Sequence, residues 1–402
     1  MKSYKRPYKK EELIELEHYL SFEDATDIAI AHISNEVEIQ RLWAGYGAVS
    51  SFSVSVVAER NSKTVIDMIV KRVNPPMGDL DDVSHMRKVK SYFVEAYFYS
   101  KLVPRLNRVW EGNENGDGPP CVPLAFKVEQ SMESFGDVCH GSGCVGTPSF
   151  RFLMSDLRGK FSASSGWYLS REETMASLTF LAKFHATFWE EVGDDDNVWE
   201  SGGYWHLQTR LGEYDNISRN EWGSLKAIAH AIDRHLGRSC QKSYGTLVHG
   251  DFKEANLLFR AFEDKVECAV VDFQYTGYGF GMKDVVMLFV SSISPQLLRD
   301  DDSDQELLEF YFLQLRNGIE AVGKELHGYT MKILFLQYEL CLVDYVRFMA
   351  GWGFWGSNCS YASSRVKSII SEIERMTSQS LSNLPEEKLD ELISSRFPFD
   401  QS

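Results

Sequence analysis

The sequence has 402 residues, of which 44% are hydrophobic and 25% are charged, values typical of a globular protein. Its formal net charge of −16 argues against nucleic acid as a partner, because an acidic surface repels a phosphate backbone. No stretch approaches the roughly 18 consecutive apolar residues of a transmembrane helix, so we expect no membrane span. Seven irregularly spaced cysteines and an N-terminal stretch without a secretory signal pattern predict a cytoplasmic protein.

The first part of the chain is predicted to be rich in strands. Residues 37–60 alternate apolar and polar side chains around glycines, as in a bent hairpin, and 64–73 form a second β-rich run. Residues 81–102 predict a helix that begins at Asp and Ser. Residues 121–130 and 149–157 predict two further strands. One major helix therefore accompanies the strands of this part.

The pattern changes after Asp156. Residues 171–192 have the apolar spacing of a helix. Two short segments with strand character follow, at 246–260 and 268–279, and the chain from Lys283 onward is mostly helical.

This order of elements predicts an α+β fold with two lobes. Residues 1–154 would form a small β-rich N-terminal lobe with one major helix. Residues 155–402 would form a large, mainly helical C-terminal lobe.

The residues most suggestive of chemistry lie in HGDFKEANLLF and in the run CAVVDF that follows it. Asp251 and Asn256 are five residues apart between two apolar strands, and Asp272 comes sixteen residues after Asn256. Transfer of a phosphoryl group to an alcohol needs a carboxylate to orient and deprotonate the hydroxyl, and oxygen ligands for Mg²⁺. We therefore expect Asp251 to be the catalytic base and Asn256 and Asp272 to bind Mg²⁺. The alternative for Asp251 is a turn or cap residue.

HGDFKEAN followed by VVDFQ resembles the catalytic and metal-binding loops of the aminoglycoside phosphotransferase and choline kinase superfamily. The continuation DFQYTGYGFGMKDVVMLF is most similar to its ecdysteroid kinase-like branch. The resemblance extends in order from about Leu42 to Phe289. It implies a protein-kinase-like fold with ATP and Mg²⁺ as cofactors, an ATP-binding N-terminal lobe, and a C-terminal lobe that carries the catalytic and acceptor-binding residues.

The resemblance also implies a nucleotide site. Lys71 matches the strand lysine that contacts the ATP phosphates, and Glu95 matches the helix glutamate that pairs with it. The loop over the phosphates would comprise Gly45, Gly47, Ser50 and Ser51, and the connector that binds adenine through its backbone would comprise Met154, Ser155 and Asp156. Solvated charges are the alternative for the Lys71–Glu95 pair, and a plain hairpin turn is the alternative for the glycines.

Four more residues near these motifs have expected roles. Lys253 has the spacing of a catalytic-loop lysine and would touch the transferred phosphate, unless it is a surface lysine. His249 is expected to hydrogen-bond the backbone beneath the loop, and Asp284 to brace the loop or cap a helix. His185 lies on an apolar helix face and is expected to be a core histidine.

The predicted reaction is transfer of the ATP γ-phosphate to a hydroxyl of a small organic molecule. Alternatives are a choline or ethanolamine kinase and a catalytically inactive kinase fold used for binding. Aromatic residues in two segments are candidates to bind the acceptor. They are Tyr204, Trp205, Tyr345, Trp352 and Trp355, with Phe354 beside them. The alternative is that these rings pack helix against helix.

Overall fold

A computed structural model describes residues 29–58, 62–79, 81–111, 118–140, 147–164, 166–191, 193, 195–237, 243–262, 265–299, 303–377 and 379–399. The chain divides into two compact units. The small unit comprises residues 1–103 and 123–160, and the large unit comprises residues 104–122 and 161–402.

This division differs from the predicted boundary between residues 154 and 155, since residues 104–122 lie with the large unit and residues 155–160 lie with the small unit. Hydrogen bonds explain their position. The Trp110 indole N–H donates to Thr187 Oγ1 (2.9 Å), and the Val270 amide donates to the Cys121 carbonyl (3.1 Å). Trp110 and Cys121 are therefore anchored to the large unit on both sides of residues 112–117, which lie outside the described ranges.

The small unit is built on a six-stranded antiparallel sheet. Its strands are β1 (Ala29–Ile33), β2 (Val37–Arg41), β3 (Gly47–Ala58), β4 (Ser62–Val73), β5 (Ala125–Gln130) and β6 (Phe150–Ser155). The order is β1-β3-β4-β6-β5, and β2 also pairs with β3. Alternate residues of β3 and β4 point to the same face, where Phe52, Val54, Met68 and Val70 form a buried cluster.

One long helical segment crosses the small unit, as predicted. Helix α1 (Val83–Tyr97) begins at Asp82, whose carboxylate accepts hydrogen bonds from the amides of Ser84 and His85. A π-helical turn (Phe98–Leu102) joins α1 to α2 (Val103–Trp110), and a short helix α3 (Phe135–His140) lies between β5 and β6.

The large unit is mainly helical. Besides α2, its described helices are α4 (Arg171–Thr187), α5 (Leu211–Asp215), α6 (Arg219–His235), α7 (Met282–Ser291), α8 (Ser303–Ala321), α9 (Met331–Trp352), α10 (Cys359–Arg375) and α11 (Glu386–Arg396). Its strands form two antiparallel pairs: β7 (Thr246–Val248) with β10 (Gly277–Gly279), and β8 (Leu257–Phe262) with β9 (Lys265–Val270). Strands are concentrated in the small unit and helices in the large unit, so the predicted α+β class is confirmed.

Two apolar helices form much of the core of the large unit. Every residue of α7 from Met282 to Val290 is buried, and α9 is buried over most of its length. Within the described ranges, no helix combines the length and the apolar character that a membrane-crossing segment needs.

Candidate functional site

Lys71 and Glu95 form a buried ion pair in the small unit. Lys71 lies on β4, opposite Val49 on β3 and Phe152 on β6, and Glu95 lies on α1. Lys71 Nζ is 2.8 and 2.7 Å from the two carboxylate oxygens of Glu95. Both residues are almost fully buried, which excludes the alternative of two solvated charges. Each charge compensates the other in an environment where either alone would be costly.

The glycine turn joins β2 to β3. Gly47 has a φ of +151°, and a Cβ on it would lie 1.9 Å from the carbonyl oxygen of Arg72. Close packing against β4 is therefore sufficient reason for a glycine here, which favours the plain hairpin alternative at this position. Gly45 has a φ of +73°, and a Cβ on it would meet no atom of the described residues within 4 Å, so its backbone conformation alone favours glycine. Ser50 is buried within β3 rather than in a loop.

The predicted adenine connector begins at the end of β6 and belongs to the small unit. Met154 and Ser155 are its last strand residues. The Ser155 amide donates to the Leu124 carbonyl (2.9 Å) and the Asp156 amide donates to the Asp67 carbonyl (3.0 Å). These two N–H groups therefore serve the neighbouring chain segments. An adenine contact here requires other backbone groups.

Asp156 also has a local partner. Its carboxylate accepts hydrogen bonds from the Arg158 backbone amide and from the Arg158 side chain, at 2.9 Å each. Burial raises the pKa of Asp156, but the hydrogen bonds and charge of Arg158 outweigh it and hold the pKa below its ordinary value. Asp156 thus caps the turn that follows β6.

The candidate metal ligands meet at one end of the β8–β9 hairpin. Leu257 pairs with Val270, so the residues just outside this pair lie side by side. The Val271 amide donates to the Asn256 carbonyl (3.0 Å), and Asp272 follows immediately. Asp272 has a φ of +70°, a strained conformation for a residue with a side chain. The antiparallel register thus brings Asn256 and Asp272 together although they are sixteen positions apart in the sequence.

Asp251 is buried and held by two neighbours. Lys253 Nζ contacts both carboxylate oxygens, at 3.0 and 2.9 Å. Asn256 Nδ2 donates to the Asp251 carbonyl (2.8 Å) and to its Oδ2 (3.2 Å). Burial raises the pKa of Asp251 to about 6, Lys253 opposes this rise, and the negative charge of Asp272 adds to it. In this geometry Lys253 is an ion-pair partner of the proposed base and not an isolated surface lysine.

His249 supports the loop from beneath. Its Nδ1 accepts from the Asp251 amide (3.2 Å), and its Nε2 lies 3.1 Å from the Val271 carbonyl. Because the first contact needs a lone pair and the second a proton, the ring is neutral with the proton on Nε2. Burial lowers the pKa of His249, in agreement with a neutral ring. This is the structural position expected of it.

Asp284 on α7 braces the same loop. Its Oδ2 accepts from the His249 amide (2.7 Å) and its Oδ1 from the Gly250 amide (2.9 Å). His185 Nε2 lies 3.1 Å from Oδ2, and His185 Nδ1 lies 2.8 Å from the Tyr311 hydroxyl. A buried chain of hydrogen bonds thus connects α8, α4 and α7 with the loop before Asp251.

Gly250 and Tyr311 belong to this support but are not among the residues singled out from the sequence. Gly250 has a φ of +79°, and a Cβ on it would lie 2.2 Å from the Tyr275 carbonyl oxygen. In the sequence, the glycine of the HGD motif could have indicated a position that requires a residue without a Cβ atom. Tyr311 is 126 residues from His185, and no local pattern connects the two.

The predicted acceptor-binding rings are placed differently from one another. Trp205 and Tyr345 are fully buried, with ring centroids 5.0 Å apart, and the Trp205 N–H donates to Asp344 Oδ2 (3.0 Å). This interior position favours the packing alternative for both and corrects the expectation that they line an open pocket. Trp352 ends α9 and is 57% exposed, and Trp355 is half-buried beyond it.

Tyr204 is a candidate ring that contacts the loop carrying Asp251. Its amide donates to the Gly250 carbonyl (3.1 Å), and Lys253 Nζ lies 5.9 Å from its ring centroid. Burial and the neighbouring charge of Asp251 raise the pKa of its hydroxyl. Arg210 and Phe348 pack against the same ring, at 5.5 Å and 5.3 Å. The sequence-based selection omits these two residues, although Phe348 stands one helical turn before Trp352.

The donors at the hairpin end fit Mg²⁺. Asn256 directs its amide nitrogen to Asp251, so Oδ1 is its atom suited to a cation, and Asp272 adds a carboxylate. Among the residues that the structure describes, no group of three or more His, Cys, Asp or Glu side chains could hold a metal ion. One amide oxygen and one carboxylate are nevertheless a sufficient protein contribution for Mg²⁺ that is held mainly by substrate phosphates and water.

Known structures give distant similarities to this chain. An aminopropanol kinase associated with a microcompartment is 14% identical, with 90% of this chain and 98% of that chain covered and a TM-score of 0.41. An aminoglycoside-3'-phosphotransferase of type VIII is 13% identical over 77% and 93%, with a TM-score of 0.39. A choline kinase from Cryptosporidium parvum is 10% identical over 94% and 99%, with a TM-score of 0.40.

No curated protein matches the sequence. A family model does match residues 207–324, a range that carries Asp251, Asn256, Asp272 and Asp284. That model describes the ecdysteroid kinase-like family. The resemblance of HGDFKEAN and DFQ to this family is therefore confirmed, and residues 207–324 are its match in this chain.

Proposed function

We propose that this protein is an ATP-dependent phosphotransferase that moves the γ-phosphate to a hydroxyl group of a small organic molecule. The observation that carries the proposal is the convergence of Asp251, Asn256 and Asp272 on one end of the β8–β9 hairpin, within the segment that matches the family. A carboxylate base beside an amide and a second carboxylate is what phosphoryl transfer to an alcohol requires.

Asp251 is suited to the role of base. A pKa of about 6 leaves it ionised at neutral pH, yet more basic than a solvent-exposed aspartate. General-base catalysis is most effective when the pKa lies near the working pH. Lys253 and Asn256 hold the carboxylate in one orientation, so that an acceptor hydroxyl can meet a positioned oxygen.

Asn256 and Asp272 would hold Mg²⁺ through Oδ1 and a carboxylate oxygen. When bound, the ion would supply positive charge to the phosphate oxygens. The role proposed for Lys71 is contact with the ATP phosphates, with Glu95 fixing its ammonium group. Asp284 would position the loop without touching a substrate.

The test is ATP-dependent phosphorylation of a library of hydroxylated metabolites and steroids, detected as a mass gain of one phosphate. Asp251→Asn should lower turnover by about two orders of magnitude or more while retaining nucleotide binding. Because burial already disfavours the ionised carboxylate, this variant should not be less stable at pH 7. Near-normal turnover of a folded Asp251→Asn variant would remove Asp251 from the role.

A matched control is Asp82→Asn. Asp82 is an exposed helix cap in the small unit, and asparagine caps helices equally well, so this variant should keep full activity. Tight binding of Mg·ATP without phosphate transfer to any acceptor would favour the inactive binding protein. Phosphorylation of choline or ethanolamine alone would favour the amino-alcohol kinase.

A further inference from the structure

Three aromatic rings of the large unit surround one guanidinium group. The Cζ atom of Arg210 lies 5.5 Å from the ring centroid of Tyr204, 5.3 Å from that of Phe348 and 5.4 Å from that of Trp352. Phe348 meets Tyr204 edge to face and stacks on Trp352. Several aromatic faces around one point form the arrangement that recognises organic cations, including quaternary ammonium groups. We refer to Tyr204, Phe348 and Trp352 as the aromatic cage.

Arg210 is fixed in the cage by two hydrogen bonds. Its Nε donates to the Tyr204 carbonyl (2.7 Å), and a terminal nitrogen donates to Glu213 Oε1 (2.8 Å). The residue is only 7% exposed. A close helix contact keeps Glu213 in place, since a Cβ on Gly351 would lie 1.8 Å from the Glu213 carbonyl oxygen. The guanidinium is thus a built part of the cage.

The cage adjoins the catalytic loop and reaches the surface. Tyr204 joins it to the loop through the hydrogen bond to the Gly250 carbonyl and through the contact of its ring with Lys253. At the other side Trp352 is 57% exposed, so solutes can approach the rings. An acceptor that presents its hydroxyl to Asp251 would lie beside the aromatic cage.

We infer that Arg210 is a specificity-determining residue: it occupies the cation position of the aromatic cage and thereby excludes ammonium-bearing acceptors. An entering ammonium group would have to displace the guanidinium or bear its repulsion at short range. The aromatic cage with Arg210 in place would accept a neutral or anionic part of the substrate. This inference rests on the proposed function only in treating the cage as part of the acceptor site.

The inference has a direct physical consequence. Without the guanidinium, three ring faces and the Glu213 carboxylate surround one vacant position, which is the composition of a cation site. Arg210→Met removes the charge, and its unbranched, flexible side chain can move out of the position that the guanidinium occupies. The variant should therefore gain affinity for a quaternary ammonium ion that the original protein lacks.

The experiment measures binding of tetramethylammonium chloride by calorimetry and tryptophan fluorescence, without ATP. We expect no saturable binding to the original protein up to the highest concentration tested, and saturable binding to Arg210→Met with a dissociation constant at least about tenfold below that concentration. Adding Trp352→Ala to Arg210→Met should abolish the gain, since it removes one wall of the cage. Arg234→Met is the matched control: Arg234 is a surface arginine paired with Glu386 and Asp390, and its loss should change nothing.

Saturable binding to the original protein that Trp352→Ala weakens would overturn the inference. So would a folded Arg210→Met variant with no gain over the Arg234→Met control. Circular dichroism checks folding, and Arg210→Gln serves as the neutral variant if Arg210→Met does not fold. Because binding is measured without ATP or transfer, a negative result leaves the proposed phosphotransferase untouched, and a failure of transfer leaves this result standing.

Discussion

The brace beneath the catalytic loop can be tested with Asp284→Asn. Asp284 accepts two backbone amides, one on each carboxylate oxygen, and His185 shares one of these oxygens. An asparagine has only one acceptor oxygen, so at least one buried N–H group of His249 or Gly250 must face an NH₂ group. The substitution therefore places two hydrogen-bond donors, a backbone N–H and the side-chain NH₂, against each other where water is excluded.

The magnitude follows from the hydrogen bonds. A hydrogen bond to a charged group contributes about 1.5–3 kcal/mol, and a buried donor left without a partner costs about 1–3 kcal/mol. We expect Asp284→Asn to lower the free energy of unfolding by about 3 kcal/mol. Asp82→Asn is again the matched control, since Asp82 also accepts two backbone amides but at an exposed cap, and should change stability by less than about 0.5 kcal/mol.

The assay is urea unfolding followed by tryptophan fluorescence, together with steady-state kinetics of the folded variant. Displacement of the loop should lower kcat more than tenfold while the KM for ATP changes little, because the brace acts on Asp251. Equal stability of Asp284→Asn and Asp82→Asn would refute the bracing role. Loss of stability with a normal kcat would show that Asp284 supports the fold and not the catalytic geometry.

Three further predictions concern the other groups of the site. Asp272→Ala should abolish Mg²⁺-dependent ATP binding without unfolding the protein, and unchanged Mg·ATP affinity in calorimetry would contradict the metal assignment. Lys71→Met should weaken ATP use more than Glu95→Gln does. Each single change leaves the other charge buried alone, so the double variant should lose less stability than the sum of the two single losses. A double-mutant cycle in which the losses simply add would show that the pair is not coupled. The kcat/KM should fall below pH 6 as Asp251 is protonated. Because Lys253 lowers the pKa of Asp251, Lys253→Met should move this decline to higher pH. A decline that stays in place or moves to lower pH would contradict this.

Much of the site could be predicted because its residues lie in short motifs. Asp251 and Asn256 share one loop, and their spacing alone suggests that they act together. The meeting of Asn256 and Asp272 follows from the register of one hairpin, which is a local structure. The partnership of Lys71 with Glu95 was inferred from a resemblance, since the two residues are 24 positions apart and no local pattern joins them.

Other expectations were decided by packing. The sequence offers the same kind of signal for Trp205 and Trp352, an aromatic ring beside glycines, yet the first is fully buried and the second is exposed. Burial depends on which helix covers a ring, and Trp205 lies against Tyr345 and Asp344 from a segment 139 residues away. Likewise, the amides of the predicted adenine connector are used by neighbouring segments that only the folded sheet brings close.

The α+β class, most of the strands and helices, and the loop with Asp251 could be predicted from the sequence, because periodicity, caps and motif spacing act over a few residues. Strand β1 and the short helix α3 were not predicted. Which distant groups lie beside that loop depends on the packing of the folded chain. Asp284 comes from α7, and the aromatic cage combines Tyr204 with Phe348 from α9 around Arg210. Such contacts arise when helices far apart in the chain pack to bury apolar surface. The packing arrangement depends on how all the core side chains fit together, and not on any short segment.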